Sequence, residues 1–404
     1  MDLGTEYVKA LVVEVKDDRA IIIGQGVARH KRNYASDGMI HDLEAVIATC
    51  DQALRQAEDM TEKVYGRKVV PDQAVMGIPS PLIRGTACTV QQRRFSPTRL
   101  VSQRELTQLL QRVQRLALQQ LSQECAGKEW ALVDSSIAEI TVDGHRVTDP
   151  IGFRGESLAV TVFNAAALRT SLDSLSRIAE GLELEPLLLV PESRVVASLL
   201  QGREVIGLDV GGKETGIFWS RNGGLLASRT MPLGGCGISQ HLAERLHLSL
   251  QEAEDLKLSC SRGWLGQKNL ASVGEILDEA VAVWLTEVER QLTTLARGEN
   301  LPSRLYLWGG GSELSRLVEA AKTFPWMREL PFARCPEMEV LNPERVPGLL
   351  NRTGLSLGRG GLTVMSLARW ARAAETQGQA DLPARLLARV IKKEFEPISW
   401  RDVS

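Results

Sequence analysis

The chain has 404 residues, of which 44% are hydrophobic and 24% charged, and its formal net charge is −2. A chain of this length and balance can bury a large core, which predicts two or three globular domains. Aromatic content is low and no run of lysine or arginine resembles a nucleic-acid footprint, so nucleic acid is not expected as a partner.

The cysteines and histidines are dispersed. None of the cysteines has a CxxC or comparable metal-ligand spacing, which fits a reducing cytoplasm rather than a disulfide framework: Cys50, Cys88, Cys125, Cys236, Cys260, Cys335. The histidine positions give no support for a zinc or Ser-His-Asp site. No apolar run approaches the ~18 residues that a membrane-spanning helix needs.

The first block predicts two β-strands at residues 8–15 and 19–26, a helix at 42–63 and a strand at 69–78 that ends before Pro79 and Pro81. Residues 94–168 then read as a helix, a hairpin around Asp143-Gly144 and a further strand. We interpret this stretch as a compact module inserted between two parts of one domain.

The second half predicts strands at 186–190, 205–209, 217–219, 225–232 and 304–308, with helices at 171–181, 192–200, 239–262 and 272–297. Asp2-Leu3-Gly4 and Asp209-Val210-Gly211 each place Asp-x-Gly beside strands, which is a weak internal duplication. This repetition predicts two αβ halves that face one another across a cleft.

Glycine turns at strand ends let backbone N–H groups approach phosphate oxygens, and an adjacent aspartate can hold Mg²⁺ through water. Asp2 with Gly4 and Thr5, and Asp209 with Gly211 and Gly212, have this arrangement. A third turn, at residues 309–311, is placed where an adenosine could pack against backbone. Each turn alone is weak evidence, and the three together predict a nucleotide triphosphate site.

Several motifs resemble the bacterial cell-division protein family FtsA over nearly the whole chain. They are Asp2-Leu3-Gly4-Thr5 with residues 8–12, residues 38–42, residues 75–79, residues 149–155 (Asp-Pro-Ile-Gly-Phe-Arg-Gly, the most specific match), Leu233-Gly234-Gly235, residues 253–257 and residues 309–314. The resemblance implies an α/β, actin-like (ribonuclease H-like) two-lobed fold with an inserted βαββ module.

The expected domains are residues 1–83 with 169–202 as the first lobe, 84–168 as the inserted module, and 203–372 as the second lobe with a helical subdomain at about 249–300. Residues 373–404 would be a linker and an amphipathic helix. The implied cofactors are ATP and Mg²⁺, with Asp2 and Asp209 at the metal. The residues expected to bind the cofactor are Asp2, Gly4, Thr5, Lys9, Asp209, Gly211, Gly212, Thr215, Gly234, Gly235, Glu254, Lys257, Gly309, Gly310, Gly311 and Leu314.

Departures from the family pattern bear on catalysis. Residues 209–216 read Asp-Val-Gly-Gly-Lys-Glu-Thr-Gly, where the family has approximately Asp-Ile-Gly-Gly-Gly-Thr-Thr-Asp, and Glu6 and Tyr7 replace residues that are usually small or basic. Related ATPases place a glutamate or glutamine before a proline-initiated helix, and Val190 stands there before Pro191. Because phosphoryl transfer depends on positioning and charge, we expect weak or no hydrolysis and assign no catalytic residue.

Both ends of the chain carry further expectations. Only Met1 precedes the first Asp-x-Gly motif, so we expect the true start codon upstream. Near the other end, Leu382, Leu386, Leu387, Val390, Ile391 and Phe395 share one face, and Arg385, Arg389, Lys392 and Lys393 take the other. Such a helix can lie on an anionic membrane or pack back on the core, and the resemblance to FtsA favours the membrane.

The resemblance implies an adaptor that tethers FtsZ filaments to the inner face of the cell membrane and also self-assembles. The FtsZ tail would dock on the helical subdomain, residues 249–297. One alternative is a platform of pilus or secretion assembly like PilM, which needs no terminal membrane helix. A second is a sugar or acetate kinase of the same superfold, for which the sequence offers no catalytic base in a substrate cleft.

Overall fold

The computed structural model describes residues 1–16, 19–30, 35–36, 39–124, 129–296, 298–375 and 382–394. Gly38, which is part of one family motif, and Cys125 and Phe395 lie outside these residues. The predicted elements are present with modest shifts at their ends, except that one predicted helix is divided in two, and they form two lobes and a third module.

The N-terminal part consists of β1 (Asp2–Leu3), β2 (Tyr7–Lys16), β3 (Arg19–Arg29), β4 (Ala35–Ser36), β5 (Met39–Ile40), α1 (Leu43–Tyr65) and β6 (Gln73–Ile78). The Asp42 side chain caps α1 by accepting a hydrogen bond from the N–H of Ala45, 3.0 Å away. α1 lies directly on β3. Glycine at 24 and 26 permits this contact, since a Cβ at either position would collide with carbonyl oxygens of the helix.

The inserted module consists of β7 (Ile83–Arg93), α2 (Gln103–Glu124), β8 (Trp130–Val142), β9 (His145–Arg146) and β10 (Ser157–Leu168). Asp143 and Gly144 both have positive φ, at 50° and 79°, as the predicted primed hairpin turn requires. The apolar face of α2 packs on this sheet and forms a separate small core with it. The βαββ insertion expected from the sequence is therefore present.

The chain continues through α3 (Arg169–Gly181), β11 (Glu185–Pro191), α4 (Glu192–Ala197), β12 (Glu204–Val210), β13 (Thr215–Arg221), β14 (Gly224–Met231), α5 (Gly235–Leu246), α6 (Leu250–Ser261) and α7 (Gln267–Ala296). The helix predicted over residues 239–262 is thus divided into α5 and α6. His247 ends α5 with a φ of 54°, and Ser249 opens α6 through a capping box with Glu252. β15 (Arg304–Trp308), α8 (Ser315–Thr323), β16 (Glu337–Val340), β17 (Leu349–Asn351), α9 (Leu362–Glu375) and α10 (Leu382–Glu394) complete the described elements.

One sheet joins the inserted module to the second lobe. Its nine strands run in the order β16-β15-β12-β13-β14-β7-β10-β8-β9, and β14 meets β7 through the pairs Ala227–Thr86 and Ser228–Gly85. The sequence-based division placed the module within the first lobe. The module does interrupt the first lobe along the chain. In space, however, its sheet continues the sheet of the second lobe.

The last part of the predicted second lobe returns to the first lobe. β17 pairs in parallel with β3, and α9 packs on β2, β3 and β6. Leu362, Met365 and Leu367 are buried in the same core as Ile22. Residues of β17 and α9, predicted as part of the second lobe (203–372), therefore belong to the first lobe in the structure, because the apolar face of α9 packs on β2, β3 and β6. This return brings the start of α9 to the cleft between the lobes.

Candidate functional site

A cavity of about 440 Å³ lies between the two lobes. All but two of the residues predicted to bind the cofactor line it, although they come from distant parts of the chain: Asp2, Gly4, Thr5, Lys9, Asp209, Gly211, Gly212, Gly235, Glu254, Lys257, Gly309, Gly310, Gly311 and Leu314. We call this cavity the interlobe cleft. The three glycine turns, which the sequence predicted to form one site, share this one space.

The other two predicted residues, Thr215 and Gly234, do not line the cleft, and their contact with a ligand stays a prediction. The Thr215 hydroxyl is buried, donates to the carbonyl of Leu233 at 2.6 Å and accepts from the Trp284 indole at 2.9 Å. A Cβ at Gly234 would stand 2.6 Å from the carbonyl oxygens of Gly211 and Gly212. Both residues support the Gly211–Gly212 turn from behind.

The turn that carries Gly4 and Thr5 and the turn at Gly211–Gly212 contact each other across the cleft. The Thr5 hydroxyl accepts a hydrogen bond from the backbone N–H of Lys213 at 3.1 Å. A side chain at Gly212 would collide with Glu6, and one at Gly309, whose φ is +88°, would collide with the Asp209 carboxylate. Only glycine permits this close approach of backbone, and a phosphate held here would meet N–H groups from both lobes.

One lysine and two aspartates dominate the electrostatics at this end of the cleft. Lys9 Nζ lies 3.1 Å from Asp2 Oδ2, in an ion pair whose carboxylate is nearly buried. Burial alone would lower the pKa of Lys9, but the charge and hydrogen bond of Asp2 raise it above its ordinary value. Burial and the charge of Asp2 raise the pKa of Asp209 to about 6. The carboxylates of Asp2 and Asp209 therefore repel each other, and a cation bound beside them would reduce this repulsion.

Glu192, at the start of α4, also lines the cleft, although the sequence analysis did not select it. Its Oε1 is buried and has no hydrogen-bond partner among the described residues. Burial, and then the charges of Asp2 and Asp209, hold the pKa of Glu192 well above its ordinary value. The sequence signal that could have identified Glu192 as a cleft residue is a carboxylate immediately after Pro191, at the predicted start of a helix.

Thr363, the second residue of α9, is another cleft residue that sequence reasoning missed. Its hydroxyl lies 3.4 Å from Asp209 Oδ2, which makes it a long hydrogen-bond donor to that carboxylate. No local motif predicts Thr363 as a cleft residue, because this side chain reaches the cleft only through the return of the chain to the first lobe.

The opposite end of the cleft is formed by α6 and the third glycine turn. Lys257 donates to Glu254 at 2.8 Å and to the carbonyl of Gly235 at 2.9 Å. Glu254 and Lys257 therefore share one face of α6, as their i, i+3 spacing allows. Glu254 and Lys257 satisfy each other here, and Gly309–Gly311 lies across the same cavity.

Mg²⁺ with a nucleotide triphosphate fits these residues. No cluster of three or more ligand-type side chains could hold a metal by itself within the described ranges. Mg²⁺ needs no such cluster, since it keeps several waters and is usually held by one or two carboxylates plus substrate phosphates. The unpartnered Glu192 oxygen and the glycine cradle at 211–212 and 309 agree with such a ligand. When bound, Mg²⁺ would supply charge neutralisation beside Asp2 and Asp209.

The predicted membrane-binding helix is α10, and it packs on the inserted module. Leu386, Leu387 and Val390 are almost fully buried against α2 and β8, and Leu382 and Ile391 are partly buried there. Arg385, Arg389 and Lys392 are exposed, whereas the Lys393 side chain lies outside the description. In this arrangement the apolar face is covered, so membrane binding stays a prediction that requires α10 to leave the module. None of the described helices is both long and apolar enough to span a bilayer.

The fold is actin-like, as comparison with solved structures shows. The chain aligns with the PilM-PilN type IV pilus biogenesis complex at a TM-score of 0.63 and 17% identity, covering 91% of this chain and 96% of that chain. It aligns with ethanolamine utilization protein EutJ from Carboxydothermus hydrogenoformans at a TM-score of 0.52 and 16% identity, covering 91% and 88%. No family model matches the chain.

Within the actin-like class, the sequence is similar to cell division protein FtsA. Identity is 26% over 287 residues to the Bacillus subtilis protein, covering 70% of this chain and 61% of the relative. It is 25% over 346 residues to that of Streptococcus pneumoniae, covering 80% and 72%, and 24% over 349 residues to that of Neisseria meningitidis, covering 80% of each. The resemblance inferred from the motifs is thus confirmed, and the chain spans only part of these relatives.

Proposed function

We propose that this chain is an FtsA-like adaptor of bacterial cell division that binds ATP with Mg²⁺ in the interlobe cleft and hydrolyses it weakly or not at all. It would tether FtsZ filaments to the inner face of the cytoplasmic membrane. The observation that carries the nucleotide proposal is the convergence of three glycine turns and two aspartates on one cleft. The similarity to FtsA supports the cellular role.

Equilibrium binding of a fluorescent ATP analogue to the purified chain tests the nucleotide proposal. We expect one site per chain, with binding that weakens when Mg²⁺ is removed by EDTA. The same titration with a Gly309→Ala variant is the internal comparison, because a Cβ there would collide with Asp209. No saturable binding at millimolar nucleotide would contradict the proposal.

Docking of the FtsZ C-terminal tail is assigned to the helical subdomain formed by α6 and α7. Leu250, Trp264 and Val283 are exposed there, at 55%, 70% and 58%, and offer apolar contacts. Titration of an FtsZ tail peptide, with Trp264→Ala beside the unchanged chain, measures this contact. Equal, undetectable binding by both would argue against the assignment.

Self-assembly is supported by the tip of the inserted module. Two hydrogen-bonded loops expose Phe95 completely and leave Leu100 and Phe153 about half exposed. Apolar side chains presented on rigid loops are typical of a protein contact. We expect Phe95→Glu to reduce nucleotide-dependent pelleting on ultracentrifugation, with the exposed Val70→Glu on the first lobe as a matched control.

Membrane tethering would use α10 after its release from the module, with the exposed Arg385, Arg389 and Lys392 facing anionic headgroups. Co-sedimentation with anionic liposomes, with and without residues 381–404, ATP and FtsZ, tests this step. Loss of sedimentation on deletion of the tail supports the adaptor.

A PilM-like platform remains the second candidate, because the PilM structure shares the fold and α10 is docked rather than free. That class would keep its localisation in cells when residues 381–404 are deleted, whereas an FtsA-like adaptor would lose it. The two candidates therefore predict opposite results from one deletion.

A further inference from the structure

The two lobes contact each other directly at the end of the interlobe cleft around Asp2 and Asp209, which we call the phosphate end. There the backbone N–H of Lys213 donates to the Thr5 hydroxyl at 3.1 Å. A phosphate group cannot enter between two atoms at hydrogen-bond distance, because each atom would first have to give up the other as its partner. The N–H that could bind an outermost phosphate is therefore already used by the opposite lobe.

Glu6 fills the space beside this contact between the lobes. Its carbonyl accepts a hydrogen bond from the N–H of His30 at 3.0 Å, which holds the backbone at this position. A Cβ at Gly212 would lie only 2.4 Å from Glu6 Cγ, so the Glu6 side chain lies directly on the second glycine turn. Glu6 Oε2 lies 3.5 Å from Arg29 Nε. A side chain that ends in a carboxylate thus occupies room that a third phosphate would need.

The described residues that line the phosphate end also carry more carboxylates than cations. The carboxylates are those of Asp2, Glu6, Glu192, Asp209 and Glu214, and the cations are Lys9 and Arg29. Each cation is already paired with one of these carboxylates. Burial, and then the neighbouring carboxylates, hold the pKa of Glu192 well above its ordinary value. Because a triphosphate is more negative than a diphosphate, it meets stronger repulsion at this end.

We propose that the interlobe cleft is fitted to a nucleoside diphosphate and binds ADP with Mg²⁺ more tightly than ATP with Mg²⁺. This inference rests on the proposed binding of adenine nucleotide in the cleft. Two phosphates need only the glycine turns, and Mg²⁺ would offset part of the charge of Asp2 and Asp209. A third phosphate enters only when the hydrogen bond between Lys213 and Thr5 breaks and Glu6 moves away. Glu6 is therefore the residue that determines this preference.

Competitive displacement of a fluorescent ADP analogue, with ADP and AMPPNP as competitors at saturating Mg²⁺, measures the preference. We expect the unchanged chain to bind ADP at least about tenfold more tightly than AMPPNP. Equal affinities, or tighter binding of AMPPNP, would overturn the inference. If the unchanged chain does not bind the ADP analogue at all, the proposed function itself fails instead.

Two substitutions of Glu6 separate its size from its charge. Glu6→Gly removes both, and we expect it to bring the affinities for AMPPNP and ADP within about threefold of each other. Glu6→Gln removes the charge alone and should shift the ratio part of the way. Glu185→Gln, an equal change of charge on the exposed start of β11, should leave the ratio as in the unchanged chain. A Glu6→Gly chain that binds ADP but keeps the full preference would contradict the role given to Glu6.

Discussion

Replacing Asp209 by asparagine is expected to stabilise the ligand-free chain. Burial, followed by the charge of Asp2, raises the pKa of Asp209 from its ordinary 3.8 to about 6. A shift of about 2 units corresponds to ~3 kcal/mol, the extra cost of ionising this carboxyl in the folded rather than the unfolded state. Asparagine has a similar shape and no charge, so the variant avoids that cost.

The pH dependence of this gain follows from proton linkage. Between about pH 4 and pH 6 the folded state holds a proton on Asp209 that the unfolded state has lost, so this group destabilises the fold progressively as pH rises. The advantage of Asp209→Asn should be ~3 kcal/mol at pH 7.5, about half of that near pH 5, and close to zero below pH 4.

Urea unfolding without nucleotide or Mg²⁺, at pH 5.0 and 7.5, measures this gain. Asp255→Asn is the matched control, because Asp255 is exposed on α6 and should change stability by less than ~0.5 kcal/mol. A variant no more stable than the unchanged chain at pH 7.5, or a gain that does not vary with pH, would refute the electrostatic account of the cleft.

Two further substitutions test other parts of the structure. Lys257→Ala leaves Glu254 without its lysine at the adenosine end, so we expect nucleotide affinity to fall by roughly tenfold in a fluorescence titration, and equal affinity would count against this end of the site. Arg94 is 2% exposed at its side chain and donates to Glu105 and to the carbonyls of Arg99 and Gly155. We expect Arg94→Ala to destabilise the inserted module by ~3 kcal/mol and to open the Phe95 loop to limited proteolysis, whereas the exposed Arg93→Ala should do neither.

The elements of the fold were predictable wherever the pattern is local. The alternation in β2, the Asp42 cap of α1 and the Asp143-Gly144 turn each determine their structure through neighbouring residues. The division of α5 from α6 was missed, since residues 239–262 read as one continuous helical segment. The break follows from the left-handed conformation of His247 and from the capping box of Ser249 with Glu252, and the Ser-x-x-Glu pattern at 249–252 was the signal that could have predicted it.

The long-range arrangement was less accessible from the sequence. The return of α9 to the first lobe and the continuity of β7 with β14 depend on which apolar faces meet, and periodicity alone does not specify the partner. The same limit applies to α10, whose apolar stripe suits either a membrane or the surface that α2 and β8 form.

The sequence predicted that the glycines and aspartates at strand ends share one cleft, since backbone geometry requires these residue types there. Thr215 was predicted to bind the cofactor but does not line the cleft, because a threonine three residues beyond the Gly-Gly turn can face either the ligand or the core. Here it bonds to Leu233 and Trp284 in the core. Glu192 and Thr363 were missed, because each reaches the cleft through a change of chain direction rather than through a motif.

The most direct test of the central claim is a crystal structure of the chain with Mg²⁺ and AMPPNP. The account predicts the phosphates between the turns at Gly4 and Gly211, the metal beside Asp2 and Asp209, and the adenosine between α6 and the turn at 309–311. Nucleotide bound elsewhere, or an interlobe cleft without nucleotide at saturating concentration, would contradict it.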